Sequence, residues 1–105
     1  MELAFATQSL RSVCEDDTVA AAAFDAPVVA QLKARLADLR AAESIHDLLI
    51  GNPRILPGDN PRVAVSLADG YALVATPNHR VTPLASDGTV DWRRVRRLQL
   101  LEITR

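Results

Sequence analysis

Aromatic side chains are scarce in this chain: they make up 4% of its 105 residues, as Phe5, Phe24, Tyr71 and Trp92. With 49% of the residues hydrophobic, the core must be assembled mainly from Leu, Val, Ile and Ala, which makes it aliphatic and thin. Cysteine is nearly absent as well. Cys14 stands alone, which excludes an internal disulfide, and no set of partners lies near it to build a zinc site. No His or Asn accompanies Cys14 in a recognisable motif, so it reads as a small buried apolar residue and not a nucleophile. Long apolar runs are missing too, none approaching the roughly 20 uncharged residues that cross a bilayer. The first residues lack the basic start and apolar stretch of a signal peptide. The expectation is a cytoplasmic protein with no membrane partner. Its length fits one domain over residues 1–105, since compact domains run to about 100–150 residues.

What charge there is lies unevenly. The formal net charge is -1, yet residues 1–52 carry four basic against eight acidic residues and residues 53–105 eight basic against five acidic. The halves are therefore about -4 and +3, with the positive surface in the second half. This is weaker than the strongly basic footprint of a dedicated nucleic-acid binder.

The pattern along the chain switches period once. Glu2 to Ala6 alternates polar and apolar residues and leads into Thr7, a good helix N-cap, so a short strand and a helix are expected. Leu10, Val13 and Cys14 share one face of that helix. Thr18 can cap a second helix through the alanines to Phe24, and Asp25-Ala26-Pro27 is a helix start. The clearest helix follows, with Val28, Val29, Leu32, Leu36 and Leu39 at spacings of three and four. Gln31, Lys33, Arg35, Asp38 and Arg40 lie mostly elsewhere around it, and its end falls near Glu43. Ser44 to Leu49 can add a turn before Gly51-Asn52-Pro53 stops the helix.

From there the period is two. Arg62 to Leu67 and Tyr71 to Thr76 flank Ala68-Asp69-Gly70, whose Asp-Gly pair supplies the positive φ of a tight hairpin. Arg54 to Leu56 can form a further strand. Asp91 can cap a short turn containing Trp92 and Val95, and Leu98 to Ile103 reads as the last strand. The fold class expected is α+β, with the N-terminal strand and helices packed on one face of a small, mostly antiparallel, curved sheet.

Several strings, in order, carry a resemblance: Leu36-Ala37-Asp38-Leu39-Arg40-Ala41-Ala42-Glu43, Asp47-Leu48, Gly51-Asn52-Pro53, Gly58-Asp59, Asp69-Gly70-Tyr71, Asp87-Gly88 and Val90-Asp91-Trp92. Together they resemble the HigB branch of the RelE-type toxins of bacterial toxin–antitoxin pairs, over nearly the whole chain. The resemblance implies a RelE-type fold and an endoribonuclease that cleaves mRNA in the ribosomal A site. It also implies no metal or other cofactor, and a helix-turn-helix antitoxin as partner. The free protein would be a monomer or homodimer. The sequence departs from that family at Pro57, Asn60, Pro61 and Ala72, where relatives tend to carry Arg or Lys. It also ends Glu102-Ile103-Thr104-Arg105 in place of an Asp-Tyr-His tail.

Cleavage beside a 2'-hydroxyl needs a base, an acid and a cation for the charge developing on phosphorus. Candidates for these roles are Arg54 and Arg62, which bracket the turn that faces RNA in the family, together with Tyr71, the family's hairpin tyrosine, and His79. The simpler readings are edge arginines that solubilise a sheet, a tyrosine packed in the core and a solvated loop histidine. Arg80 and the run Arg93, Arg94, Arg96 and Arg97 are candidate RNA-binding residues, the run serving equally as an anchor for an acidic antitoxin segment or as a solvated turn. The missing cations and tail keep a second function class open, a non-catalytic interaction module that binds an antitoxin. An unrelated small α+β protein is a third.

Overall fold

The computed structural model describes residues 1–105. Its first strand, β1 (Glu2–Phe5), is followed by three helices, α1 (Gln8–Glu15), α2 (Asp17–Ala23) and α3 (Ala26–Ala41). Thr7 caps α1, its hydroxyl accepting from Leu10 N at 3.1 Å. The cap of α2 is Asp16, not the expected Thr18: its carboxylate accepts from Thr18 N and Val19 N, satisfying two of the orphan donors of the first turn. Asp25 precedes α3 as its N-cap with Pro27 in the first turn, and α3 stops at Ala41, two residues before Glu43. At its far end the Met1 ammonium donates to the carbonyls of Leu39, Arg40 and Ala42, placing positive charge where the helix dipole is negative.

A 3-10 turn at Ile45–Asp47 then leads into β2 (Arg54–Leu56), β3 (Arg62–Ser66) and β4 (Ala72–Pro77). Asp69 and Gly70 both take positive φ, 57° and 77°, as the Asp-Gly pair predicts for the β3–β4 corner. A second 3-10 turn, Trp92–Arg94, is capped by the Asp91 side chain and precedes β5 (Arg97–Thr104).

The five strands form one open sheet in the order β1-β5-β4-β3-β2. Only β1 and β5 run parallel, and the other neighbours are antiparallel. The sheet is therefore mixed. Helices cover one face, as expected. Val63 and Val65 of β3, Leu73 and Ala75 of β4, and Leu98 and Leu100 of β5 point to that face, where Val28, Leu32, Leu36 and Leu39 of α3 and Leu10 of α1 complete the aliphatic core. The register between β4 and β5 slips between Val74 and Ala75, with Leu101 as the extra residue, a bulge of the kind that bends a strand.

Two residues depart from the sequence expectation. Cys14 is half-buried and not fully inside. Arg35, placed on the polar side of α3 by its charge, is 6% exposed. Its guanidinium is satisfied within its own helix, donating to Gln31 Oε1 at 3.2 Å and to Asp38 Oδ2 at 3.0 Å, so the charge is buried with partners and not abandoned.

Arg35 also explains Gly51. That residue has φ +96°, and a Cβ there would fall 2.7 Å from Val65 Cγ1 and 2.8 Å from Arg35 Cδ. Both the backbone conformation and the space demand glycine. Gly51→Ala is expected to destabilise the fold by about 2–4 kcal/mol. Urea unfolding followed by circular dichroism checks this, and a loss within error of zero would show that the α3–β3 junction yields freely.

Candidate functional site

The face of the sheet turned away from the helices carries the candidate residues Arg54 and Arg62. Register fixes which side chains share it. Arg54 of β2 stands opposite Ala64 of β3, Ala64 opposite Val74 of β4, and Val74 opposite Glu102 of β5. Arg62 lies two positions along β3 from Ala64 and so on the same face, a diagonal neighbour of Arg54 at about 8 Å between Cα atoms. The two candidate phosphate-binding arginines are thus brought together, at the β2–β3 border.

Their surroundings differ. One Arg54 nitrogen donates to Ser66 Oγ at 2.7 Å and to the Asn52 carbonyl at 3.2 Å, which steers the guanidinium along the sheet. Arg62 is half-buried and makes no ion pair. The row closes on the exposed carboxylate of Glu102, about 14 Å from Arg54 at three strand spacings. The face is therefore cationic toward β2 and anionic toward β5.

Tyr71 and His79 do not join this site or each other. Tyr71 precedes β4 and His79 follows it, a separation of about 25 Å along an extended chain. The Tyr71 ring packs edge-on against Phe24, with centroids 5.2 Å apart at 79°. The Arg105 guanidinium lies 4.5 Å above the Tyr71 ring, a cation–π contact. His79 Nε2 accepts from the Arg96 backbone N–H at 2.9 Å, which requires an unprotonated Nε2 and ties the loop to the start of β5. His46 lies exposed in the 3-10 turn after α3.

The basic run is exposed but partly spent on its own loop. Arg94 pairs with Asp91 at 2.8 Å and donates to the Leu84 carbonyl at 2.6 Å. Arg97 pairs with Glu2 of β1 at 3.0 Å, and the Arg96 side chain caps the Arg93 carbonyl. Arg80 and Arg93 are exposed with no ion pair. These two, with Arg62, are the guanidinium groups best placed to meet an outside anion. Sequence reasoning did not separate Arg97 from the other RNA-binding candidates, Arg80, Arg93, Arg94 and Arg96, because its pairing with Glu2 depends on a parallel strand contact that no local pattern announces.

No group of three His, Cys, Asp or Glu side chains comes together where it could hold a metal ion. Comparison of the chain with family models, with curated proteins and with solved structures finds no match in any of the three.

Two chemical expectations follow from local environments. Burial pushes the Cys14 thiol up from 9.0 to about 11, with Arg40 opposing and Glu15 reinforcing the shift. Alkylation of Cys14 by iodoacetamide at pH 8 is expected to be about a hundredfold slower in the folded protein than in urea, and equal rates would remove the inert assignment. Asp91 is held below its ordinary value of 3.8 chiefly by the hydrogen bond from Arg94. A depressed carboxylate contributes stability that is complete above its unfolded value and lost as pH falls through the folded one. Asp91→Asn is expected to flatten that part of the acid-unfolding curve, measured by circular dichroism between neutral pH and pH 2.

Proposed function

We propose that this chain is the toxin component of a type II toxin–antitoxin pair, a HigB-like domain of RelE type that meets RNA on the open face of its sheet. The observation that carries this reading is the adjacency of Arg54 and Arg62 on the sheet face opposite the helix-side core, flanking Ala64 and Val74, which are each 3% exposed. Two arginines whose Cα atoms lie about 8 Å apart on one side of the sheet offer two cationic side chains to the phosphates of an extended strand. The exposed Arg80 and Arg93 add positive charge near the other end of β4, at the loop that leads into β5. The order of elements, one strand and helices followed by a hairpin and a C-terminal strand in a single sheet, supports the reading at the level of its α+β class. The partner on this reading is a helix-turn-helix antitoxin, and the substrate is mRNA on the ribosome.

A second reading has an observation of its own. Tyr71 and His79, the two candidates for proton transfer, stand at opposite ends of β4, and His79 Nε2 is already occupied by Arg96 N–H. General acid–base catalysis needs both groups within hydrogen-bond reach of one reacting phosphate. This favours a toxin-fold module that binds RNA or its antitoxin with cleavage reduced or lost.

One experiment addresses both. The protein is induced alone in growing cells, mRNA 5' ends are mapped, and the antitoxin candidate encoded beside it is co-expressed. New 5' ends and arrested growth, both relieved by co-expression and both lost in Arg54→Ala/Arg62→Ala, are expected of the active toxin. Stable co-purification without new 5' ends is expected of the module. In vitro, binding to single-stranded RNA should fall steeply with salt, and the double variant should bind about tenfold more weakly. Neither cleavage, nor RNA binding, nor a co-purifying partner would sink both readings.

A further inference from the structure

The sheet has two edges, β1 and β2, each with a single strand neighbour. At the β1 edge the Met1 ammonium is anchored to the end of α3. At the other edge, β2 has β3 as its sole neighbour, so its outward N–H and C=O groups face solvent with no strand to receive them.

Beside this edge lies a groove of about 590 Å³ between β2 with its following turn and the loop that precedes β5. Trp92 forms its floor, itself 8% exposed. Ile55 and Leu84 stand on opposite walls, each 51% exposed, far more than the aliphatic residues of the core. Asp59 is exposed on the turn after β2 and makes no ion pair or hydrogen bond, although it lines the groove. On the facing loop, Asp87 accepts only from Thr89 and likewise meets no cation. An apolar trough beside unpaired backbone, with the Asp59 carboxylate in its lining and Asp87 just outside it, is complementary to an extended segment that carries aliphatic and basic side chains.

We infer that the β2 edge is a docking site for an extended segment of a partner protein. The segment adds as a sixth strand, its alternate aliphatic side chains enter the groove over Trp92, and a Lys or Arg meets Asp59. Main-chain hydrogen bonds to β2 supply the register, and the pocket selects the alternate side chains. The Asp59 carboxylate disfavours a nucleic-acid strand, whose phosphates it would repel. A second copy of this chain is a poorer fit: it brings the same Asp59 carboxylate to the seam. Pairing two three-residue strands of about 10 Å also gives far less contact than a stable dimer needs. This inference does not depend on the toxin reading, since Ile55 lies on the opposite face of β2 from Arg54 and the inference needs neither Arg54 nor Arg62 to touch RNA.

The test uses the intact chain and a phage-displayed library of random decapeptides, selected on the wild type and counter-selected on Ile55→Lys. Enriched sequences are expected to alternate Val, Ile or Leu with polar residues and to carry Lys or Arg. A synthetic peptide from that set should slow amide hydrogen exchange at Arg54–Leu56. Its affinity should fall about tenfold in Ile55→Lys and in Leu84→Lys, both surface changes whose folding is verified by circular dichroism. Asp59→Lys should weaken the cationic peptides while sparing versions in which Lys is replaced by Thr. The inference is overturned if nothing is enriched, if the enriched peptides bind Ile55→Lys equally, or if they leave exchange at β2 unchanged. It is also overturned if sedimentation shows a wild-type dimer that Ile55→Lys converts to monomer, because the edge would then belong to a second copy.

Discussion

The sheet depends on β5. It is the only strand with a neighbour that lies in the first half of the chain: β1 on one side by parallel pairing, β4 on the other by antiparallel pairing. Remove it, and the N-terminal strand has no connection to the hairpin except through the helices. Its inward residues Leu98 and Leu100 are 1% and 0% exposed, at the centre of the aliphatic core. With so few aromatic rings available, such close packing of small branched side chains must supply most of the hydrophobic stabilisation, at about 25 cal/mol for each Å² buried. Because β5 pairs with β1 across most of these 105 residues, the contacts that close the sheet are non-local and carry a large loop-closure cost in folding.

That same dependence explains what could be read from the residues and what could not. Features written within a few positions were legible: the α3 stripe from Val28 to Leu39, the Thr7 cap, the Asp69-Gly70 corner with its alternating flanks, and Asp91 ahead of Trp92. Each is dictated by local geometry. Asp16 displaced Thr18 as a cap because a carboxylate two residues earlier reached two backbone donors at once, a competition between neighbouring good caps that propensity alone does not decide. Arg35 was misplaced because a charged residue counts as outward-facing unless its partners are known. Here Gln31 and Asp38, four residues before and three after, satisfy it inside the fold.

The site was legible in kind and illegible in arrangement. A charge count along the chain finds the arginines of the second half. It cannot find that Arg97 is neutralised by Glu2 from the opposite end of the sequence, or that a one-residue slip in β4–β5 pairing brings Glu102 onto the same row as Arg54. A bulge changes which side of the sheet every later residue faces, so a single uncounted residue, Leu101, alters the electrostatics of the open face. The groove at the β2 edge was invisible for a similar reason: its walls come from segments some thirty residues apart, joined only when the loop before β5 folds back.

The distance between Tyr71 and His79 bears most directly on chemistry. They are fixed at the two ends of a strand paired on both sides, so bringing them together would mean unzipping β4 from β3 and β5 and exposing Leu73 and Ala75 to water. No loop motion on this scaffold spans about 25 Å of strand. Any proton transfer on the open face would therefore be served by groups already in one row, and the row that exists offers Arg54 at one end and Glu102 at the other, with Ala64 and Val74 between them. Such a surface can hold an anionic strand at its cationic side and reject it at the other. The separation of its charged groups makes it poorly matched to moving a proton on a bound strand.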